Sequence, residues 1–269
     1  MLDMTKSLMT VRLTNNPVLL ENTIHLGDCL ELMREIPNGS VDMVLCDLPY
    51  GTTQNKWDAV IPFNALWDAY WRILKPQGAV VLFAAQPFTS SLVCSQPEAF
   101  KYDWVWRKPK GTGHLNAKKQ PMRDKEDILV FYRKQPVYNP QMSKGTRYKD
   151  KSGKDHTASS SMTDSYGAYR NFRNDNSGFR YPKQVLEFGV VERGTIHPTQ
   201  KPVELFSYLI KTYTNPGDLV LDNCAGSGTT AVACKQTGRR YLCIEKDREY
   251  WLMAVDRVNQ ARKLSGPSL

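Results

Sequence analysis

Apolar residues in this chain gather into short runs that alternate with helical patterns. "NTIHLGD" (22–28), "VDMVLCD" (41–47) and "GAVVLFA" (78–84) have the length and apolar content of buried strands. Between the last two, Leu66, Trp67, Tyr70, Trp71 and Leu74 recur at helical spacing and predict a helix. "YDWVWRK" (102–108) and "DILVFYR" (127–133) read as two more strands. After a long gap, "PVELFSYLIKTY" (202–213) puts residues 205, 206, 209, 210 and 213 on one helix face. "DLVLDNC" (218–224) and "RYLCIEKD" (240–247) are strands, and Arg248 to Lys263 a closing helix. This alternation predicts an α/β fold with a mostly parallel sheet and helices on both faces.

From about Asn139 to Arg180 the pattern lapses into polar sequence, with "SGKDHTASSSMTD" its least structured part. So long an irregular stretch inside a compact domain is usually functional or disordered. The 269 residues therefore read as a single domain over 1–269 with an inserted region at about 134–185.

Charge sharpens that division. The formal balance is +9, yet Lys101 to Lys183 alone holds 19 basic against 8 acidic side chains, a net of +11. The remainder carries 17 and 19, a net of −2. Tyr138, Tyr148, Tyr166, Tyr169, Phe172, Phe179 and Tyr181 are interleaved with those bases, a combination that favours a polyanion, nucleic acid above all. No apolar stretch reaches membrane-spanning length, and Met1 to Asn15 lacks the core of a secretory signal. The six cysteines form no CxxC pair and are expected to be reduced and buried, in a cytoplasmic protein without a metal site.

Two stretches carry the chemistry. In "CDLPYGTT" (46–53) an acid, a proline and an aromatic follow a strand with no spacer. In "LVLDNCAGSGTTAVAC" (219–234) a strand ends in Asp222, a glycine turn follows, and Thr229 and Thr230 open a helix. Such a turn brings backbone and a helix N-terminus close to a ligand. It is not a P-loop, because no Lys-Ser/Thr follows the second glycine, nor does it continue as G-x-G-x-x-G. Glu245, about twenty residues on, falls where a Rossmann-like site holds a ribose by its hydroxyls; a surface acid near a helix start is the plainer alternative.

Together these stretches resemble the two signature motifs of S-adenosylmethionine-dependent amino-methyltransferases acting on DNA. "CDLPY" resembles the Asp-Pro-Pro-Tyr catalytic motif with Leu48 in place of the first proline. "DNCAGSG" resembles the Asp-x-Phe-x-Gly-x-Gly cofactor loop with Cys224 in place of Phe. The order, catalytic motif first and cofactor loop near the C-terminus, is similar to the beta group of the family. "HPTQKP" (197–202) matches the segment just ahead of that group's cofactor loop. The resemblance spans about His25 to Val258.

It implies a Rossmann-like methyltransferase sheet with a basic inserted target-recognition region, and catalysis by Asp47, Leu48, Pro49 and Tyr50. The implied S-adenosyl-L-methionine site comprises Asp28, Cys29, Asp47, Lys201, Asp222, Cys224, Ala225, Gly226, Ser227, Gly228, Thr229, Thr230, Glu245 and Lys246. Asp28 also suits an N-cap for Cys29 to Ile36, Lys201 a helix-flanking surface lysine, and Thr230 a helix cap. Residues 106–127 look like a phosphate-gripping loop, with Lys108, Lys110, Lys118, Lys119 and Arg123, joined further on by Arg147, Arg170 and Arg173.

The expected partner is double-stranded DNA, and the reading admits a homodimer. Asp47 and the carbonyl of Leu48 would accept the two hydrogens of an exocyclic amine, Pro49 would fix that carbonyl, and Tyr50 would stack a flipped base. Asp rather than Ser at 47 favours the N6 amine of adenine in this family, with N4 of cytosine as the alternative. Cytosine-C5 chemistry needs a Pro-Cys nucleophile, absent here. The rivals are an RNA or protein-glutamine methyltransferase, and a non-catalytic DNA-binding module. Cofactor loop and target pocket are expected on neighbouring strands, across the switch point of the sheet.

Overall fold

The computed structural model describes residues 19–51, 58–145, 178–190 and 200–261, and the backbone alone of 160–163 and 167–170. In chain order the first elements are β1 (Thr23–Leu26), α1 (Cys29–Met33), β2 (Val41–Asp47), α2 (Phe63–Ile73), β3 (Leu74–Ala84) and α3 (Phe88–Ser95). A long antiparallel pair follows, β4 (Phe100–Thr112) and β5 (Arg123–Phe131), joined through a single 3-10 turn at His114–Asn116. Next come β6 (Ser143–Lys144), β7 (Ser160–Thr163), β8 (Gly167–Arg170), β9 (Phe179–Arg180) and β10 (Val185–Glu187). The chain closes with α4 (Val203–Tyr213), β11 (Leu219–Asp222), α5 (Thr229–Thr237), β12 (Arg240–Glu245) and α6 (Arg248–Gln260).

The chain folds as two compact units, residues 1–139 with 184–269, and residues 140–183. In the larger unit eight strands form one sheet in the order β1-β12-β11-β2-β3-β5-β4-β10. The five strands from β1 to β3 are mutually parallel, and β5 runs antiparallel to both β3 and β4. In the smaller unit β6 pairs with β9 and β7 with β8, both antiparallel. No helix among the described residues is long and apolar enough to cross a membrane.

Side-chain alternation along buried strands sorts the core into two layers. Met43, Leu45, Val81 and Phe83 face α4, α5 and α6, where Leu205, Phe206, Leu209 and Ile210 meet them. Val44, Cys46, Val80 and Leu82 face α1, α2 and α3, against Met33, Leu66, Trp67 and Tyr70. The expected α/β class, mostly parallel sheet and two helical layers are therefore found.

Several boundaries differ. Leu74 opens β3 instead of ending α2, and α6 stops at Gln260 among the described residues. The helix foreseen over 29–36 ends at Met33, because the residue before Pro37 is pushed away from helical backbone. Helix α3 and strand β10 were not read from the sequence, being short. The least structured stretch contains β7, a strand too short and polar to show a period. Residues 106–127, expected as a loop, are mostly hairpin strand. All six cysteines are free as expected, but Cys94 is exposed and Cys224 only half-buried, so "buried" fails for these two.

Leu45 sits at the centre of β2 with no exposed surface. Leu45→Ala should cost about 2–5 kcal/mol, read as a lower urea midpoint with an unchanged slope.

Candidate active site

Four parallel strands, β1, β12, β11 and β2, deliver their carboxyl ends to one edge of the sheet, and the turns that follow form a cleft of about 640 Å3. The crossovers from β11 and β2 leave in opposite directions, β11 through α5 to β12 and β2 through α2 to β3, so the switch point lies between them. One wall is Gly27–Cys29, Asp222–Ser227 and Glu245–Asp247; the other is Asp47–Tyr50 with Trp106, Lys108, Glu126 and Lys201.

The turn after β11 is built by its own acid. Asp222, 3 % exposed, accepts the Cys224 amide at 3.1 Å on one oxygen and the Thr230 hydroxyl on the other. Thr230 is therefore no helix cap, since Gly228 occupies the N-cap of α5; it is fully buried, and its hydroxyl donates inside the fold. Gly228 has φ +74, and a Cβ there would lie 3.1 Å from Ala254 Cβ, so only glycine fits without strain.

Neighbouring acids are also engaged. Glu245 accepts the Gly226 amide at 2.7 Å and the Asp247 amide at 2.8 Å, which clamps the glycine turn onto the end of β12. Burial raises Glu245, partly opposed by those amides. Asp28 does cap α1, accepting Leu30 N at 2.9 Å and Glu31 N at 3.4 Å, while Lys246 reaches its other oxygen at 3.4 Å. The cap expectation for Asp28 is met with one oxygen, and the residue also lines the cleft beside Cys29.

Three side chains escaped sequence reasoning. Arg257 donates to Ser227 O at 2.9 Å and to the hydroxyls of Ser227 and Thr229 at 3.0 Å each, bracing the turn from α6. Tyr70 donates to Asn223 Oδ1 at 2.5 Å from α2. Glu126, whose part is described below, belongs to β5. No local motif signals any of these; Arg257 and Tyr70 are identified only by the fold that brings α6 and α2 to the turn.

At the end of β2 the quartet Asp47–Tyr50 closes on itself. Tyr50 OH donates to Asp47 Oδ1 at 2.8 Å, and its ring stacks on Phe88 with centroids 5.1 Å apart and planes at 25°. Lys201 Nζ donates to Asp47 Oδ2 at 2.5 Å and lies 3.2 Å from Glu126 Oε2. Glu126 in turn accepts from Lys108.

Burial raises Asp47 above the usual carboxylate range, against the pull of Lys201. For Glu126 the desolvation is outweighed by Lys201 and Lys108, which hold it low. Lys201 is raised, its burial outweighed by the two carboxylates. Lys201 is accordingly no surface lysine. Lys108 is no phosphate grip either: its side chain is only 17 % exposed and tied to Glu126. Lys110, Lys118, Lys119 and Arg123 are exposed on the hairpin. Thr52, Thr53, His197, Arg147 and Arg173 lie outside the described residues, as does the side chain of Arg170.

A family model described as DNA methylase, of the N6/N4 type, matches residues 41–256. The chain belongs to that family. The resemblance drawn from these motifs in order therefore holds. Over 260 residues the chain is 28 % identical to the DNA adenine methyltransferase YhdJ of Escherichia coli (strain K12), covering 92 % of this chain and 86 % of the relative. Two solved structures share the fold. One is M1.HpyAVI in complex with S-adenosylmethionine, at TM-score 0.60 and 24 % identity over 88 % of this chain and 98 % of that one. The other is the cytosine-N4-specific PvuII DNA methyltransferase, at TM-score 0.62 and 16 % identity over 94 % and 97 %. A Rossmann-like methyltransferase sheet is thus the fold of this family member.

Burial pushes Asp222 up to about 6, opposed by the Thr230 hydroxyl and the Cys224 amide. A folded value above the unfolded one, about 3.9, means that the folded state holds the proton more tightly. The stability it contributes is full below about pH 4 and lost as pH rises through about 6. Asp222→Asn should flatten the fall in unfolding free energy across that window by about 2–3 kcal/mol, measured by urea titration at pH 4, 5, 6 and 7.

Proposed function

We propose that this protein is a site-specific DNA methyltransferase that moves a methyl group from S-adenosyl-L-methionine to the exocyclic N6 amine of adenine, on a base turned out of the duplex. The observation that carries the reading is the meeting of Asp47–Tyr50 with the Asp222–Thr229 turn in one cleft, across the β11/β2 switch point. The turn fits a nucleoside cofactor: a cleft of about 640 Å3 is within the usual range for such ligands, and Gly228 keeps the turn flush against α6. Asp28, Cys29, Gly226, Ser227, Glu245 and Lys246 would hold it.

Bound, the cofactor supplies a methyl group already activated on a positively charged sulfur. The chain's own work is on the amine, whose lone pair is delocalised into the base ring. Asp47 and the Leu48 carbonyl would accept its two hydrogens, and Pro49 would fix the backbone that aims that carbonyl. As the nitrogen gains positive charge, the Asp47 carboxylate stabilises it. Tyr50 offers a ring beside that acceptor, already aligned on Phe88.

Adenine is favoured by Asp at position 47 and by the likeness to an adenine methyltransferase. Cytosine N4 is the second reading, supported by the shared fold of the PvuII enzyme. Duplex DNA as partner is supported by the family and by exposed Lys118, Lys119 and Arg123 on the β4–β5 hairpin. The basic residues 134–185 would carry target recognition.

Asp47→Asn should lower labelled methyl transfer to duplex DNA by about 10²–10⁴-fold without changing the circular dichroism spectrum. Mass spectrometry of digested product DNA should show N6-methyladenine; N4-methylcytosine would overturn the base assignment, and methylation of RNA or peptide alone would overturn the reading. For the double change Lys118→Ala and Lys119→Ala, the log–log salt slope of DNA affinity should become shallower by roughly one to two units. An unchanged slope would remove the hairpin from the DNA interface.

A further inference from the structure

Behind Asp47 stands a row of alternating charges: Asp47, Lys201, Glu126, Lys108. Lys201 Nζ donates to Asp47 Oδ2 at 2.5 Å and is 3.2 Å from Glu126 Oε2. That second oxygen is buried and receives no hydrogen bond, so the contact is Coulombic and its acceptor position is open. The other oxygen of Glu126 is fixed by Lys108, whose ammonium lies 5.2 Å over the Trp106 ring. Side-chain exposure runs from 21 % at Asp47 to 8 % at Lys201 and 13 % at Glu126, so the acid facing the cleft is backed by a nearly dry ammonium and a second acid.

This arrangement bears on the reaction. Both oxygens of Asp47 are engaged, Oδ1 by Tyr50 and Oδ2 by Lys201. To accept a hydrogen from a substrate amine, the carboxylate must loosen one of these contacts. If Asp47 were the sole counter-ion of Lys201, that loosening would strand a buried ammonium, which is strongly unfavourable. Glu126 offers that ammonium a second carboxylate, already 3.2 Å away.

We propose that Glu126 is a positioning residue that takes over Lys201 as Asp47 engages the target amine, leaving Asp47 charged and free to accept. The proposal rests on the amino-methyltransferase reading of the site. It also binds Glu126 to the titration of Asp47. The groups facing Asp47 are Tyr50 and Cys46 beside it in the chain, Lys201 ahead of α4, Glu126 on β5 with Lys108 behind it on β4, and Asp222 on β11. The acids Glu126 and Asp222 disfavour a charged Asp47, and Lys201 favours it. Removing the charge of Glu126 therefore lowers the pH at which Asp47 ionises.

The test is Glu126→Gln, an isosteric change, read in two ways. In cofactor-free protein, carbon-13 titration of the Asp47 carboxyl, assigned with Asp47→Asn, should move to lower pH. In single-turnover methyl transfer to duplex DNA, the rate should fall at least about tenfold with cofactor affinity unchanged, and the acid limb of its pH profile should move the same way. Because Glu126 acts through Lys201, adding Glu126→Gln to Lys201→Met should bring no further loss. An unmoved titration and limb, or an equal loss in the Lys201→Met background, would overturn the proposal. Should Glu126→Gln not fold, Glu126→Asp keeps the charge but shortens the reach: the rate should fall with the limb in place, and an unchanged rate would overturn it. A parent protein that transfers no methyl to DNA overturns the underlying reading, while the Asp47 titration still decides the link to Glu126.

Discussion

The parallel pairing of β11 with β2 is the constraint on which the site depends. Val220 pairs with Met43 and Leu221 with Val44, so Asp222 and Asp47, far apart in sequence, end adjacent strands at the same edge. The opposite end of the pair is pinned by Asp42, which accepts the Leu219 amide at 2.9 Å and the Lys75 ammonium at 2.6 Å, tying β11, β2 and β3 together. Parallel strands need crossovers, and here those crossovers diverge, which opens the crevice that the turns then line. A one-residue slip would exchange the two faces of β2, sending Leu45 to the layer of Val44 and turning Asp47 away from the turn after β11.

Given that crevice, most of its acids serve the backbone before they serve any ligand. Asp222 holds Cys224 and Thr230, Glu245 holds Gly226 and Asp247, and Asp28 holds the first turn of α1. These hydrogen bonds pre-arrange the glycine turn, so little conformational freedom remains to be lost on binding. Asp47 differs: its partners are a phenol and an ammonium, both on side chains and neither on the backbone. The electrostatic contrast follows from this division, backbone amides around the turn and side-chain partners around Asp47.

Legibility followed the range of the interaction. Strands β2, β3 and β11 are buried on both faces, so their unbroken apolar runs announced them, as did the spacing of α2 and α4. The two turns were legible because glycine, proline and acid sit at fixed local offsets. Lys108, and the surface alternative for Lys201, mislead because a lysine in a single sequence looks like a surface charge. Their burial is tolerable only next to Asp47 and Glu126, partners contributed by β2 and β5, which no local pattern foretells. Arg257 was invisible for the same reason: its partners Ser227 and Thr229 are about thirty residues away.

The thiols around the crevice add a chemical argument. Cys46 immediately precedes Asp47, and Cys224, standing where the family usually has Phe, interacts with both Cys46 and Cys29. Burial pushes Cys46 up to about 12, and Cys29 is raised further by its contact with Cys224. Cys224 is raised as well: the contact with Cys29 lowers it, but Cys46 and burial more than compensate. Thiols held protonated in this way are poor nucleophiles, since the thiolate is the reactive form. The cysteines nearest Asp47 are therefore not attacking groups: Cys46 packs in the core, while Cys29 and Cys224 line the cleft as thiols. Of the carboxylates that line the crevice, Asp47 is the one the proposed mechanism uses, as an acceptor for amine hydrogens and not as an attacking atom. Such a site suits direct transfer to a nitrogen whose own lone pair attacks, with the protein holding that nitrogen and stabilising the charge it acquires.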